Sequence, residues 1–548
     1  MLEVERTWEL DEVLALPAFD GAAFDGAAGG EDGALTAVDG ATVELVATYH
    51  DTADLRLARS RVTLRRRTGG KDAGWHLKLP AGRDREELQR PLGRARTVPA
   101  ELRALIRSRT RGEPVVPVVE LRTTRHLVVV TDAAGNAAEV ADDRVTATRL
   151  DRSRPGAGQQ NGAVVEDGAG VEDGAGVLDG GAGTPTVVTW REVEVELLDG
   201  SDPVVLDAVG AVLAAAGARP SDWQSKLGRA LATTTGGAPG DPPAPVGDVA
   251  AVLAYVAEQV AVITAEDPRV RLHEDDAVHA MRVATRRLRS TLRTFGELWR
   301  PEAVDGVVEE LHALAAVLGE VRDREVLAQR FTATLLALAA DATGPDRELP
   351  GLLGGRSAAE LAGSLVPGRA EADRALRRAL DAPRHLRLLD RLVPLSEPAA
   401  LVPAGEGANR SALFALADPA RQALARRLRR AHHADHTADA QLHRARRAVK
   451  RTRYAAEALV PLAGGPARRF VDAHKALAQV LGDHQDAVVA REVLAAAAPA
   501  SDPSVGTSVA FAAGLLYRDE QLRAATALTE LPAAEKAAGR RRIRRWLD

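Results

Sequence analysis

The sequence predicts a multidomain chain: a mostly β, α+β half followed by an all-α half. Three observations carry this. Before residue 232, apolar and charged residues alternate with period two in several segments. A Pro/Gly/Thr stretch at 233–246, TTTGGAPGDPPAPV, reads as a linker. From 247 to 548, Ala-, Leu- and Arg-rich segments with period 3.6 are broken near 301, 344–355, 394–409, 461–466 and 499–506.

The alternation in the first half puts one charged face on each strand. In LEVERTWEL, Glu3, Glu5, Thr7 and Glu9 share a face against Leu2, Val4, Trp8 and Leu10. Arg65 and Arg67 share a face in RVTLRRR, Lys78 opposes Trp75, Leu77 and Leu79, and Glu192, Glu194 and Glu196 share a face in REVEVELL. Such faces ordinarily meet solvent. If the sheet closes with them inward, a polar tunnel results, in which arginines grip phosphates and glutamates hold a hard cation. Two stretches interrupt this half: an Ala/Gly/Asp-rich insertion at 17–40 and a low-complexity loop at 155–187. Helices are expected over 204–217 and from Ser221.

The second half is organised by Val278 to Phe295. Read as a helix, it puts His279, Arg282, Arg286, Arg289 and Arg293 on one stripe and Met281, Leu288, Leu292 and Phe295 on the other side. Leu442 to Leu459 repeats the stripe with His443, Arg446, Lys450 and Arg453. Arg287 and Arg451 lie beside the two stripes. Each copy is followed by a second anchor, LGEVRD from Leu318 and LGDHQD from Leu481; His279 precedes Gly319 by 40 residues and His443 precedes Gly482 by 39. Matched spacing at two anchors argues for a duplicated unit with opposed stripes, a pocket suited to a polyanion. His432, His433 and His436 form a further cluster, read as a helix end because no carboxylate set completes a metal site.

The formal net charge of −5 gives no field that would draw the whole chain to nucleic acid. Aromatics at 3% leave few platforms for stacking on single strands, and no groove-reading motif is present, so nucleic acid is disfavoured as a partner. Without cysteine, disulfide and thiolate chemistry are excluded. The charged N-terminus and the lack of any apolar run near ~20 residues lead us to expect a cytoplasmic protein with no membrane partner. The closing GRRRIRRWLD reads as the solvated end of a helix.

EVER at 3–6, YHDTADLRL at 49–57, VTLRRR at 62–67, WHLKLP at 75–80, ADDRV at 141–145 and EVEVELLDG at 192–200 together resemble the CYTH domain of triphosphate tunnel metalloenzymes. The two basic helices resemble those of the CHAD domain, and the tandem order resembles a bacterial CYTH–CHAD architecture. The resemblance implies an eight-stranded antiparallel tunnel followed by two four-helix bundles around a basic cavity that binds inorganic polyphosphate. It implies metal-dependent triphosphate hydrolysis with Mg2+ or Mn2+, and association with polyphosphate granules is a corollary.

By the same resemblance, Glu3, Glu5, Glu194 and Glu196 are metal-side residues, with Glu3, Glu5 and Lys78 in the catalytic set. Arg56, Arg65, Arg67, Arg85, Arg125 and Lys226 are phosphate binders, with Glu87 and Asp142 as supporting acids. His279, Arg282, Arg286, Arg289, His443, Arg446, Lys450 and Arg453 are polyphosphate binders. One departure stands out: the family's Glu-x-Glu-x-Lys reads Glu3-Val4-Glu5-Arg6-Thr7 here. Thr7 keeps the inward position without a charge, and Arg6 points to the opposite face. A binding protein without turnover is therefore the alternative to a triphosphatase. Adenylate cyclase is a further alternative on the same tunnel, without a clear adenine pocket.

Overall fold

The alternating segments form a ten-stranded antiparallel sheet in the order β1-β8-β7-β6-β5-β9-β10-β11-β2-β12. Its strands are β1 (Leu2–Glu3), β2 (Glu5–Glu9), β5 (Thr36–Asp51), β6 (Thr63–Thr68), β7 (Gly74–Ala81), β8 (Asp84–Arg90), β9 (Val116–Thr131), β10 (Ala137–Arg149), β11 (Val187–Leu197) and β12 (Arg219–Pro220). A separate hairpin pairs β3 (Ala23–Phe24) with β4 (Gly33–Ala34). β1 pairs with β8 and β2 with β11, and only Val4 lies between them. The N-terminal segment therefore joins the two ends of the sheet and closes it into an eight-stranded tunnel.

The structure, a computed structural model, describes residues 2–24, 33–81, 84–93, 97–150, 187–223, 225–235, 247–340, 356–433, 438–497 and 506–547. The chain divides into two compact units, Met1–Pro242 and Pro243–Asp548. The low-complexity stretch lies outside the described residues up to its last position, Val187, which opens β11.

Burial explains which face of the tunnel wall is which. Val193, Val195, Val140 and Val130 pack with Val205, Leu206, Val209 and Leu213 of the helix Val204–Ala215, and Val4 and Trp8 join them. That apolar layer is the outer side of the wall, so the charged residues between these positions face in. The expected insertion at 17–40 is corrected at both ends. Phe19 and Leu35 are buried in this outer core and β5 already begins at Thr36, because an Ala/Gly/Asp-rich composition conceals two anchoring side chains. The second expected helix starts at Lys226 rather than Ser221; Arg219 and Pro220 first pair with Glu9 and Trp8. It plugs one end of the tunnel: Leu227, Ala230 and Leu231 pack with Tyr49, Leu121, Val145, Ala147 and Trp190. That end is apolar, not ion-lined, because a helix end must bury its own apolar stripe.

In the second unit, the first basic helix, Ala277–Phe295, buries Met281, Leu288, Leu292 and Phe295. The second, Ala438–Ala458, buries Leu442, Val449 and Ala456. The first packs with helices Ala250–Arg271, Val307–Ala340 and Arg369–Asp381. The second packs with Arg410–His432, Gly465–Ala497 and Thr507–Ala538. The two basic helices also pack on one another, with Ala455, Ala458 and Leu459 reaching the first helix's core. The far ends of the two long helices share a third core with Ala358–Leu365. The basic C-terminal segment is not simply solvated: Trp546 sits edge-on to Phe414 and Phe470, at 5.1 and 5.6 Å.

Gly210 marks the tightest approach of helix to tunnel wall, since a Cβ there would lie 2.7 Å from the Trp8 ring. Gly210→Val is expected to destabilise the first unit by about 2 kcal/mol or more through overpacking, read as a lower urea midpoint.

Candidate functional site

Inside the tunnel, opposed charges are paired in layers. Asp143 on β10 lies across from Glu192 on β11 and Arg125 on β9. Arg125 donates to both Asp143 oxygens, at 2.8 and 2.6 Å, and to Glu194 at 2.6 Å. Lys226 Nζ lies 3.0 Å from Asp143, 2.5 Å from Glu192 and 2.5 Å from Glu194. Asp143, Glu192 and Glu194 bring carboxylate oxygens within 4.8 Å of one another, a cluster able to hold a metal ion. The oxygen donors fit a hard divalent cation, whose place Lys226 contests. Burial opposes ionisation of Glu194, but Lys226 and Arg125 outweigh it and hold its pKa well below the usual range.

The cationic side follows. Arg65 reaches Tyr49 Oη at 3.5 Å and Glu87 at 3.9 Å; burial works against its charge, and Tyr49 and Glu87 keep its pKa raised. Arg67 is buried and paired with Asp72, and burial with the nearby Arg65 and Arg125 lowers it to about 10. Glu87 is lowered to about 2: burial opposes the shift, but a 2.7 Å bond to His76 and the charges of Lys78 and Arg65 prevail. Lys78 lies 3.7 Å from Glu5, and Glu5 stands opposite Glu196 in register. Arg85 stands opposite Glu3, whose side chain is outside the described set. Thr7 faces Glu194, whereas Arg6 is outside, paired with Asp207 of the packed helix.

One expected acid is placed elsewhere. Asp142 points outward and binds Arg191 through both oxygens, at 2.8 and 2.7 Å; its neighbour Asp143 is the interior acid. In two adjacent aspartates, only the phase of the strand decides which one faces in. Arg56, expected as a phosphate binder, opens the short helix Arg56–Arg59 and donates to Asp54 at 2.8 Å and to the Thr110 carbonyl at 2.9 Å. Asp143, His76 and Tyr49 carry no distinguishing signal in the sequence, and alternation puts Glu192 on the charged face without giving it a role.

In the helical unit the repeat is visible in the contacts. Arg282 lies over Gly319 and bonds Asp323 at 2.8 Å; Arg446 lies over Gly482 and bonds Asp486 at 3.0 Å. Lys450 has its pKa lowered to about 7 by burial, then by Arg446 on its own helix and by Arg286 and Arg282 on the other, with Asp486 opposing. The two helices pack on one another, and the stripes converge at Lys450. Among the described residues, neither Arg286 nor Lys450 makes an ion pair with a carboxylate. Arg289 bonds His312 at 2.6 Å and is lowered by burial and by Arg293, Arg447 and Arg286. His279 is exposed, and partial desolvation together with Arg322 lowers its pKa. His443 is half-buried on the second helix. Arg453 and Arg287 meet Glu457, at 3.0 and 3.1 Å, and Arg451 donates to the Arg293 carbonyl at 2.9 Å. Of the other histidines, His432 pairs with Glu535 and His433 with the Arg429 carbonyl; His436 lies outside the described residues.

A CYTH domain model matches residues 27–214 and a CHAD domain model matches residues 254–495. Two proteins of Mycobacterium tuberculosis strains, described as Uncharacterized protein MT2285 and Uncharacterized protein Rv2226, are each 37% identical over 553 residues, spanning 97% of this chain and 95% of the relative. The chain belongs to the CYTH–CHAD family. Among solved structures, PptA from Streptomyces chartreusis is 23% identical, with a TM-score of 0.42 over 53% of this chain and 100% of that one. The CHAD domain from the plant Ricinus communis is 25% identical, with a TM-score of 0.40 over 54% and 92%. CYTH and CHAD domains are associated with triphosphate and polyphosphate binding in general. Among the described residues, no helix is long and apolar enough to cross a membrane.

The position of Lys450 has a consequence for the CHAD unit without any ligand. Below about pH 7 the lysine is charged in both folded and unfolded chains, and the full cost of burying that charge stands. Above pH 7 the folded form sheds its proton, and the cost fades as pH approaches the ordinary lysine value of 10.5. Lys450→Met should therefore stabilise the unit on the order of 2 kcal/mol at pH 6 and little at pH 10, measured by urea unfolding.

Proposed function

We propose that the CHAD unit binds inorganic polyphosphate between its two basic helices and that the CYTH tunnel hydrolyses inorganic triphosphate with Mg2+ or Mn2+. The observation that carries the reading is that the two basic helices pack on one another and bury Lys450 beside Arg446 of its own helix and near Arg286 and Arg282 of the other. Like charges repel, so a fold that presses them together leaves a site whose repulsion a polyanion relieves. Arginine suits this role through its forked donors.

In the tunnel, Asp143, Glu192 and Glu194 would hold the cation, with Glu196 further along β11 and Glu5 opposite it on β2. When bound, the ion supplies Lewis-acid neutralisation of phosphoryl oxygens. Arg65, Arg67 and Arg125 offer guanidinium donors on the inner wall, suited to spreading charge as a terminal phosphoryl group is attacked by water. Lys78, close to Glu5, adds a point charge on the same side. The site at Thr7 favours a second reading, binding without turnover, because the inward position opposite Glu194 has no cation.

Phosphate release should be measured for tripolyphosphate, long-chain polyphosphate, thiamine triphosphate and ATP, with and without Mg2+ or Mn2+. Metal-dependent release from tripolyphosphate, with ATP a poor substrate, is expected. Release from none of them, with polyphosphate binding intact, would leave the binding reading alone. Thr7→Lys should raise turnover by up to ~10²-fold, as for other electrostatic stabilisers; an unchanged rate would refute the role given to that position. Lys226→Met should let Mn2+ bind about tenfold tighter in an EPR titration of the free ion, because three carboxylates lose a buried partner, and should lower the thermal midpoint of the metal-free chain.

A further inference from the structure

The two basic helices superimpose in sequence with an offset of 164 residues, pairing His279 with His443, Arg282 with Arg446, Arg286 with Lys450 and Arg289 with Arg453. The same offset pairs Arg293 with Glu457. The repeat thus reverses charge at one position, and the structure shows what the acid does. Glu457 is largely buried, its side chain 14% exposed. It meets Arg453 at 3.0 Å and Arg287 at 3.1 Å, and accepts a hydrogen bond from Tyr255 Oη at 2.8 Å. At the mirror position, Arg289 has Arg293 and Arg447 as charged neighbours and a histidine as its hydrogen-bond partner. The cleft is therefore cationic from Arg289 through Arg286 and Lys450, and compensated at Arg453.

We propose that Glu457 is a specificity-determining stop, which neutralises one end of the basic cleft so that a bound phosphate chain is held at the Arg289 end and the centre, and ends short of Arg453. The proposal rests on the reading of the cleft as a polyphosphate site. A phosphate seated against Arg453 would have to approach a carboxylate already shared by two guanidiniums, and like-charge juxtaposition in a partly desolvated site is costly. The Tyr255 hydroxyl donates to the carboxylate and fixes it in place between the two guanidiniums.

The test is calorimetric titration of the full chain with long-chain inorganic polyphosphate over a series of salt concentrations. Arg289→Gln should weaken binding about tenfold or more, whereas its counterpart Arg453→Gln, which the family resemblance counts among the polyphosphate binders but which Glu457 already engages, should cost several-fold less, about twofold. Glu457→Gln, which keeps the shape and the Tyr255 contact, should tighten binding about tenfold and steepen the salt dependence, since it frees two guanidiniums. Adding Arg453→Gln to Glu457→Gln should remove much of that gain. Equal losses from Arg289→Gln and Arg453→Gln, or an affinity and salt slope unchanged by Glu457→Gln, would overturn the proposal. If Glu457→Gln does not fold, judged by its helical circular dichroism, the two single arginine variants decide alone. A wild-type chain that binds no polyphosphate would sink the reading of the cleft itself, and this inference with it.

Discussion

The helical unit depends on one constraint: like charges are held close by apolar burial on the far side of the helices that carry them. Two unit charges a few ångströms apart repel by several kcal/mol at the effective dielectric of a protein surface. Met281, Leu288, Leu292 and Phe295 on one helix, and Leu442, Val449 and Ala456 on the other, are buried in cores that offset this repulsion. The cost registers at Lys450, whose proton affinity is lowered by burial and by three arginines. Asp323 and Asp486 relieve the strain at symmetric positions, where they grip Arg282 and Arg446 from the following long helices. Arg286 and Lys450, equivalents of each other, are left at the centre.

The tunnel solves the opposite problem. There, a closed wall forces charged faces inward, and most of its charges find partners within the wall. Lys226 is the clearest case, an ammonium from the plugging helix surrounded by three carboxylates. Closure itself comes from a short segment: the chain at Leu2–Glu9 reaches both ends of the sheet because it switches partners at Val4. The apolar plug under Leu227 and Leu231 then confines the polar part to the remainder of the interior.

Much of the wall was legible because side chains alternate strictly along a strand. Glu5, Thr7, Lys78, Arg65 and Glu194 face the side their alternation predicts, and Arg6 turns outward to Asp207. Legibility failed where alternation offers two answers or none. Asp142 and Asp143 are adjacent acids, and only the buried Val140 and Val145 beside them show the strand's phase. Phe19 and Leu35 stand in a stretch too rich in Ala, Gly and Asp to look like core. Trp546 likewise anchors a segment that reads as basic and exposed.

By itself, the sequence determined the division into a strand half and a helix half, the face taken by charged side chains in strictly alternating strands, and the duplication of the basic helices. These follow from short-range periodicity, which depends on few residues and on burial of one side of each element. Only the tertiary structure decided which charges meet: Lys226 among Asp143, Glu192 and Glu194, and Glu457 between Arg287 and Arg453. Coulomb energies turn on separations of a few ångströms between groups tens to hundreds of residues apart in the chain, and such distances exist only once the elements have packed.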